Sequence, residues 1–104
     1  MKELYIMHAE LCKVFTNPTR LEILNLLRGK ELSVSELIAK SSLSQANISQ
    51  HLSIMKSKGI VVSKREGKNI YYRLSSKKIT KAFDIIREVL AEKLKQEKKL
   101  GRAI

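Results

Sequence analysis

Apolar residues recur every three or four positions in several segments of the chain, which is the spacing of a buried helix face. The first segment covers residues 2–15, and the second begins at Pro18, with Asn17 as its predicted cap. Residues 34–58 contain two short apolar patterns separated by a polar break, and residues 77–100 contain one long pattern. Residues 60–74 contain two β-rich runs, and apolar and polar residues alternate in the second run, 70–74, which predicts a β-hairpin. The predicted order is α-α-(β)-α-α-β-β-α, a mainly helical fold with one small hairpin.

Polar signals within 34–58 predict two helices joined by a tight turn. Ser33 and Glu36 have the spacing of a capping box, in which each side chain accepts a hydrogen bond from the other residue's backbone N–H. Ser44 supplies a second N-cap oxygen before the next helix. The buried stripe of that helix consists of Ile48, Leu52 and Met55. The segment is therefore predicted to be a helix-turn-helix.

The opposite face of this second helix carries uncharged hydrogen-bonding side chains. They are Gln45, Asn47, Ser49 and Gln50. Asn and Gln can pair bidentately with adenine, and Ser can donate to or accept from a base edge. These four residues are the predicted base contacts. A merely solvated helix face would have the same composition, so the choice depends on the segment after the helix.

A hairpin is predicted directly after this helix. Ile60–Arg65 and Ile70–Leu74 are rich in β-branched and aromatic residues, and the four-residue turn Glu66–Asn69 between them contains Gly and Asn. Those turn residues favour a hairpin connection. Glu31 and Leu32 are predicted to add a short strand. A hairpin next to a recognition helix is a wing, and the fold class is therefore a winged helix-turn-helix.

Positive charge is concentrated around this part of the chain. Residues 40–81 contain ten basic residues and one acidic residue, so they carry +9 of the total net charge of +11. Such a local excess is expected of a surface that meets phosphates, whereas a generally Lys-rich protein would spread its charge evenly. The predicted DNA-backbone and wing contacts are Ser44, Lys56, Lys64, Arg65, Lys68 and Arg73.

Five motifs succeed one another along the chain. They are Asn17-Pro-Thr-Arg-Leu-Glu-Ile-Leu24, Ser33-Val-Ser-Glu-Leu37, Leu43-Ser-Gln45, Ser49-Gln-His-Leu52 and Lys64-Arg-Glu-Gly-Lys-Asn-Ile-Tyr-Tyr-Arg-Leu74. In order and spacing they resemble the ArsR/SmtB family of winged-helix repressors. The resemblance implies a dimeric, cytoplasmic transcriptional repressor that binds an operator and leaves it when a metal or another signal arrives.

The first and last helices are predicted to form a dimer. The segments 2–15 and 77–100 have apolar faces wider or longer than a small domain needs to cover itself. The predicted interface consists of Leu4, Met7, Leu11, Phe83, Ile86 and Leu90. A two-fold dimer presents two recognition helices to successive major grooves, so the expected operator is an imperfect palindrome of double-stranded DNA. The alternative is that the last helix covers only its own chain's core.

Length and composition restrict the remaining possibilities. A chain of 104 residues is expected to be a single domain, 1–104, with a modest core. No apolar run is long enough for a transmembrane helix and no signal-peptide pattern occurs, so a cytoplasmic protein without membrane contact is predicted. Neither paired carboxylates, a nucleophile–base pair nor a phosphate loop is visible. The chain is therefore predicted not to be an enzyme, and no cofactor is expected.

The usual metal ligands of the resembled family are replaced. Metal-sensing members carry a Cys-x-Cys pair in the segment that corresponds to 31–37, or carboxylate and histidine ligands on the last helix. Here Ser33 and Ser35 stand in the first segment, and the last helix has no histidine. His8 and Cys12 are four residues apart and could form a zinc or thiol-sensing site with a partner's copies. Because both belong to an apolar stripe, a packing role is favoured and no metal is predicted; the inducer, small molecule or metal, stays unknown.

Three local expectations concern single residues. His51 is predicted to be a half-buried histidine, hydrogen-bonded within the helix-turn-helix. Ser42 stands where the resembled family usually places glycine in the turn, so modest strain is expected if that position needs a positive φ. Asp84 and Glu88 are expected to lie on the solvated face of the last helix.

Two other functions are compatible with a basic winged helix. A sequence-tolerant DNA-coating or architectural protein would use the same surface, but its affinity for a palindromic site and for random duplex would be nearly equal. A winged helix that binds only proteins would show negligible salt-dependent DNA binding. The uneven charge favours a sequence-specific regulator over both.

Overall fold

The computed structural model describes the backbone of residues 1–103 and the side chains of residues 1–98. The helices are α1 (Lys2–Lys13), α2 (Pro18–Leu26), α3 (Val34–Lys40), α4 (Gln45–Ser57) and α5 (Lys77–Ala103), and the strands are β1 (Leu32–Ser33), β2 (Val61–Glu66) and β3 (Asn69–Leu74). The strands form one antiparallel sheet in the order β1-β3-β2. This is the predicted winged helix-turn-helix order. The first helix is shorter than predicted, because residues 14–16 form a 3₁₀ turn.

The helix starts agree with the predicted side-chain caps. At α3, Ser33 Oγ accepts from the Glu36 backbone N–H, and Glu36 Oε1 accepts from the Ser33 N–H, both at 3.2 Å. At α4, Ser44 Oγ accepts from the Asn47 N–H at 3.2 Å. Asn17 caps α2 in the same way, with Pro18 at the first helical position. These local hydrogen bonds fix where the helices of the helix-turn-helix begin.

The turn between α3 and α4 is built without left-handed backbone. Ser41 Oγ donates to the Leu37 carbonyl at 2.7 Å and accepts from the Leu43 N–H at 3.2 Å. Among the described residues no non-glycine residue has a positive φ. The strain expected at Ser42 is therefore absent, because the Ser41 side chain closes the turn instead.

The core lies where α2, α3 and α4 meet the sheet. Ile23 and Leu24 of α2 are 0% exposed, as expected for the most apolar helix of the chain. The buried apolar side chains are Val14, Ile23, Leu24, Leu27, Leu32, Leu37, Ile48, Leu52, Met55, Ile60 and Val61. The stripe of α4 thus packs inward and leaves the opposite face of that helix in solvent.

The hairpin connection is tighter than predicted. Glu66 pairs with Asn69, so the loop contains two residues, Gly67 and Lys68, where the sequence indicated a four-residue turn. Gly67 has a φ of 61°, and glycine at the first loop position is typical of a type II′ turn. Because this turn matches the twist of the strands, pairing continues to the end of the wing.

Helix α4 ends in a Schellman motif. Gly59 has a φ of 73°, and the Ile60 N–H donates to the Met55 carbonyl at 2.9 Å. The Ser75 N–H donates to the Ile60 carbonyl at 2.9 Å, which ties the end of β3 to the start of β2. The wing is therefore attached directly to the C-terminal end of α4.

Helix α5 contacts the 3₁₀ turn and the α2 region at three places. The rings of Phe15 and Phe83 meet edge to face with centroids 4.9 Å apart. Arg28 at the end of α2 donates two hydrogen bonds to the Asp84 carboxylate, each 2.9 Å long. Arg87 donates to Asn25 Oδ1 at 3.4 Å. Asp84 lies on the exposed side of α5, as expected, but it is also paired with Arg28, and the hydrogen bonds from Arg28 lower the pKa of this carboxyl.

Most apolar side chains of α1 and α5 are uncovered in the single chain. Helix α1 contains no buried residue. The exposed large apolar residues on the two helices are Leu4, Tyr5, Ile6, Met7, Leu11, Ile85, Ile86, Val89, Leu90 and Leu94. Phe83, predicted for the dimer interface, is instead half-buried against Phe15 of its own chain. In the described part of the chain, no helix combines the length and apolar character that crossing a membrane requires.

Candidate nucleic-acid interface

The four predicted base-contacting residues all lie on the exposed side of α4. Gln45, Asn47, Ser49 and Gln50 are solvent-exposed, while Ile48 between them is 0% exposed. None of the four side chains forms a side-chain hydrogen bond or an ion pair within the part of the chain whose side chains are described. Their amide and hydroxyl groups are therefore available to a ligand that lies along α4.

Two further residues belong to this surface but were not predicted from the sequence. At about 100° per residue, Ala46 and Ser53 lie beside Gln50 on the side opposite the buried stripe, whereas Gln45 lies nearer the edge of that stripe. Both are exposed. A helical projection centred on Ile48 and Leu52 would have identified them. The Ala46 methyl group can contact a thymine methyl, and the Ser53 hydroxyl can contact a base or a phosphate.

Ser44 combines two roles at the start of α4. Its oxygen accepts the hydrogen bond from Asn47 N–H, so its hydroxyl hydrogen can still be donated to another group. The first N–H groups of a helix and its dipole favour an anion at this end. A DNA phosphate beside Ser44 would accept hydrogen bonds from the Ser44 hydroxyl and from the first backbone N–H groups of α4.

The basic residues predicted for the wing lie at two different places, the tip and the base of the hairpin. Lys68 is in the loop at the tip, and Arg65 is one residue from the end of β2, paired with Ile70. Arg73 is paired with Val62 near the base of the wing and lies 3.9 Å from a Glu31 carboxylate oxygen. The tip of the wing therefore presents Arg65 and Lys68, whereas Arg73 lies close to an acidic neighbour.

Lys64 is engaged within the wing. Its ammonium group lies 2.8 Å from the Glu66 carboxylate, and this hydrogen bond raises the pKa of Lys64. Both side chains are more than half exposed, so the pair is a weak, salt-screened contact. A phosphate can therefore compete with Glu66 for Lys64. Lys56, in the last turn of α4, is exposed.

Comparison with known proteins shows the family to which this chain is similar. The model for bacterial regulatory proteins of the arsR family matches residues 17–63, which include α2, the helix-turn-helix and the start of the wing. The transcriptional activator HlyU of Vibrio cholerae is 34% identical over 82 residues, covering 79% of this chain and 76% of the relative. The biofilm growth-associated repressor of Agrobacterium fabrum is 37% identical over 78 residues, covering 75% and 67%.

The chain belongs to the arsR family.

Solved structures agree with this assignment. The crystal structure of Mycobacterium tuberculosis Rv0081 has a TM-score of 0.81 at 33% identity and covers 90% of this chain and 95% of that chain. The homodimeric winged helix-turn-helix domain of Mycobacterium bovis Mb0332, solved by NMR, has a TM-score of 0.80 at 29% identity and covers 91% and 88%. The fold and the family resemblance inferred from the sequence are thus confirmed, and this ArsR-family protein is a DNA-binding transcriptional regulator.

The metal-ligand candidates of this ArsR-family regulator are not gathered into a site. His8 and Cys12 are both exposed on α1. No group of three or more His, Cys, Asp or Glu side chains suited to a metal ion occurs in the part of the chain that the structure describes. Cys12 is exposed, so the buried packing role favoured from the sequence is not seen in the single chain.

His51 lies at the contact of α4 with Arg20 of α2. It is half-buried, as predicted, but its buried Nδ1 has no hydrogen-bond partner among the described residues, so the predicted hydrogen bond is not formed. Burial lowers the pKa of His51, and the charge of Arg20 lowers it further. Both causes favour the neutral imidazole, and the structure does not place His51 on the exposed side of α4 with the predicted base-contacting residues.

The lowered pKa of His51 predicts a pH-dependent stability. The unfolded chain binds more protons than the folded chain at mildly acidic pH, so the free energy of unfolding should fall as pH drops below about 6.5. The decrease should end below the pKa of the folded state. Urea unfolding from pH 7.5 to 5 should show this decrease in the parent and less of it in His51→Gln. His8→Gln, at an exposed site, should retain the parental dependence; an equal dependence in all three proteins would contradict the assignment.

Proposed function

We propose that this ArsR-family regulator acts as a homodimer that binds an imperfect palindromic operator and represses the adjacent promoter. The proposal rests on the observation that two exposed surfaces of different character occur on the same small chain. One is the uncharged hydrogen-bonding face of α4, flanked by basic residues of the wing. The other is the uncovered apolar face of α1 and α5.

The apolar face supports the dimer. A short helix such as α1 is marginal in water without tertiary packing, yet none of its twelve residues is buried by its own chain. On α5, Ile86 is 58% exposed and Leu90 is 52% exposed. A second copy related by a two-fold axis would cover both helices with the same residues. The homodimeric state named for the Mb0332 domain supports the same arrangement here.

The two-fold symmetry would determine how the operator is read. Two copies of α4 about 34 Å apart would enter successive major grooves on one side of the duplex. Gln45, Asn47, Ser49 and Gln50 are assigned to base edges, and Ala46 and Ser53 are added as candidates on the same face. Ser44, Lys56, Lys64, Arg65, Lys68 and Arg73 are assigned to phosphates or, at the wing tip, to the minor groove. Specificity would then come from α4 and most of the affinity from the basic residues.

Repression would result from the position of such a site. A dimer bound across two half-sites within a promoter would prevent polymerase from binding there, without catalysis or a cofactor. Operators of this kind lie in the bacterial cytoplasm, which is where the protein is proposed to act. Since one relative is a named activator and another a named repressor, the sign of regulation is tested by fusing the selected operator to a reporter.

Selection of bound duplexes from a random pool at fixed salt tests the proposal. We expect a two-fold symmetric consensus, protected on one side of the helix. The affinity for the consensus should exceed that for random duplex by about a thousandfold or more. A ratio near one would favour the sequence-tolerant architectural alternative. Absence of salt-dependent DNA binding would favour a winged helix that binds only proteins.

The wing tip makes a separate prediction. Lys68→Ala should weaken binding to consensus and random duplex alike, and should reduce the slope of log affinity against log salt by about one unit per chain. The reason is that binding releases about one counterion fewer for each phosphate contact that is lost. Lys95→Ala removes the same charge from exposed α5 and is the matched control. A loss confined to one operator position would show that Lys68 instead contacts a base.

A further inference from the structure

Arg20 is a cation without a counter-ion at the contact between α2 and α4. All ten Asp and Glu side chains of the chain are described, and none of them forms an ion pair with Arg20. The side chain is half-buried, and its Nε is buried without a hydrogen-bond partner among the described residues, whereas its two Nη atoms are not buried. Burial of a charged group is costly unless a partner neutralises it, so Arg20 is expected to receive its partner from outside the chain.

The neighbours of Arg20 within the chain do not compensate its charge. Arg20 is the third residue of α2, so it lies near the positive end of the helix dipole. The backbone N–H groups of Thr19 and Arg20 both donate to Asn17 Oδ1, so the end of the helix is already capped. On α4, the buried Nδ1 of His51 has no partner among the described residues, and burial and the charge of Arg20 both lower the pKa of this imidazole. An anion is therefore a better partner for Arg20 than water, which does not neutralise it.

Arg20 meets α4 along one edge of the predicted base-contacting face. His51 is four residues after Asn47 and seven after the N-cap Ser44, and this spacing puts the three residues along one edge of the helix. Ser44 and Asn47 are both exposed. A helix about 10–12 Å in diameter fills a major groove about 12 Å wide, so a sugar-phosphate backbone runs along each of its edges. The nearest anion to Arg20 on bound DNA would therefore be a backbone phosphate.

We propose that Arg20 binds a phosphate of the DNA backbone beside α4, a contact that rests on the proposed function and adds to it a phosphate-binding residue outside the helix-turn-helix and the wing. The Nη groups would donate to the phosphate oxygens with the planar fork that Arg offers and Lys does not. Because α2 packs against α4 and Nε is buried, the side chain is ordered before DNA arrives. Binding would then cost little side-chain entropy.

Titration of the full-length protein with random-sequence duplex at several salt concentrations tests this contact without an operator. Arg20→Gln should weaken binding and reduce the slope of log affinity against log salt by about one unit per chain. Arg20→Lys keeps the charge, so it should keep the parental slope and bind with an affinity between those of the parent and Arg20→Gln. Lys95→Gln removes the same charge from exposed α5 and is the matched control, and Lys68→Ala is the reference for a wing contact.

Urea unfolding without DNA separates phosphate binding from a structural role of Arg20. Removal of a half-buried cation that has no counter-ion should leave the free energy of unfolding of Arg20→Gln unchanged or raise it. Neutral methylphosphonate linkages, placed one at a time in the selected operator, then locate the phosphate. One linkage in each half-site should weaken the parent but not Arg20→Gln, because the variant has already lost that contact.

The outcomes that contradict this contact differ from those that contradict DNA binding. An unchanged salt slope in Arg20→Gln, beside a reduced slope in Lys68→Ala, would overturn the contact and leave the proposed function intact. An unchanged slope with a lower free energy of unfolding, or with a weaker dimer, would also overturn it and would assign Arg20 to packing or to a carboxylate of the second copy. Absence of salt-dependent DNA binding by the parent would overturn both proposals.

Discussion

Leu90→Asp is expected to convert the proposed homodimer into a monomer and to lower operator affinity by about a hundredfold or more. Leu90 lies on the uncovered apolar face of α5, where it is 52% exposed in the single chain. An aspartate there would be buried without a partner in the dimer, but solvated in the monomer. A monomer binds one half-site at a time and therefore loses the effective-concentration gain of the second half-site. Analytical ultracentrifugation and operator titration would measure the two effects.

Ala91→Asp is the matched control for this variant. It adds the same charge to α5 at an exposed position about 100° around the helix from Leu90. We expect it to stay dimeric and to bind the operator nearly as the parent does. If Leu90→Asp remained a dimer at all concentrations, the α1–α5 face would not be the interface. If it became a monomer with unchanged operator affinity, the two-half-site model would be wrong.

Gln50→Ala is expected to weaken the free energy of operator binding by about 1–3 kcal/mol per half-site and to abolish discrimination between bases at one base-pair position. Gln50 lies nearly opposite the buried stripe of α4 and is exposed, and its side chain makes no hydrogen bond with any residue whose side chain is described. Its amide can donate and accept at one adenine, and an alanine can do neither. Competition between the consensus and operators substituted one position at a time would identify that base pair. All four bases there should bind the variant about equally.

The same substitution on another helix controls for this effect. Gln96→Ala removes an exposed glutamine of α5, far along the chain from the recognition helix, and should leave every operator position unchanged. A uniform loss against all duplexes, random ones included, would show that Gln50 contacts the backbone. In that case, Asn47 and Ser49 would become the leading candidates for direct base contacts.

Local signals in the sequence were sufficient to predict the helix-turn-helix. The capping box of Ser33 and Glu36 and the N-cap Ser44 act within three residues, so their hydrogen bonds depend little on the rest of the fold. The buried apolar stripe of α4 could also be predicted, because helical spacing depends only on residues three or four positions apart. The exposed face proposed to contact bases could be deduced from it, although a full helical projection was needed to find that Ala46 and Ser53 are exposed on the same side.

Contacts between distant residues could not be predicted from these patterns. Arg28 and Asp84 are 56 positions apart, and their pairing depends on how α5 crosses the end of α2. Phe83 has the spacing of an interface residue, yet the 3₁₀ turn brings Phe15 to it within the chain. Such features depend on tertiary packing, which composition and periodicity do not specify.

The twin hydrogen bonds between Arg28 and Asp84 have a consequence for operator architecture. Together with the contact between Phe15 and Phe83, they orient α5, which carries the proposed dimer contacts, relative to α2, which packs against the recognition helix. We expect this orientation to allow little adjustment of the distance or of the rotational phase between the two half-sites. One extra base pair in the spacer would turn the second half-site by about 34° around the duplex, since a turn contains about 10.5 base pairs. The regulator should therefore tolerate substitutions in the spacer far better than insertions.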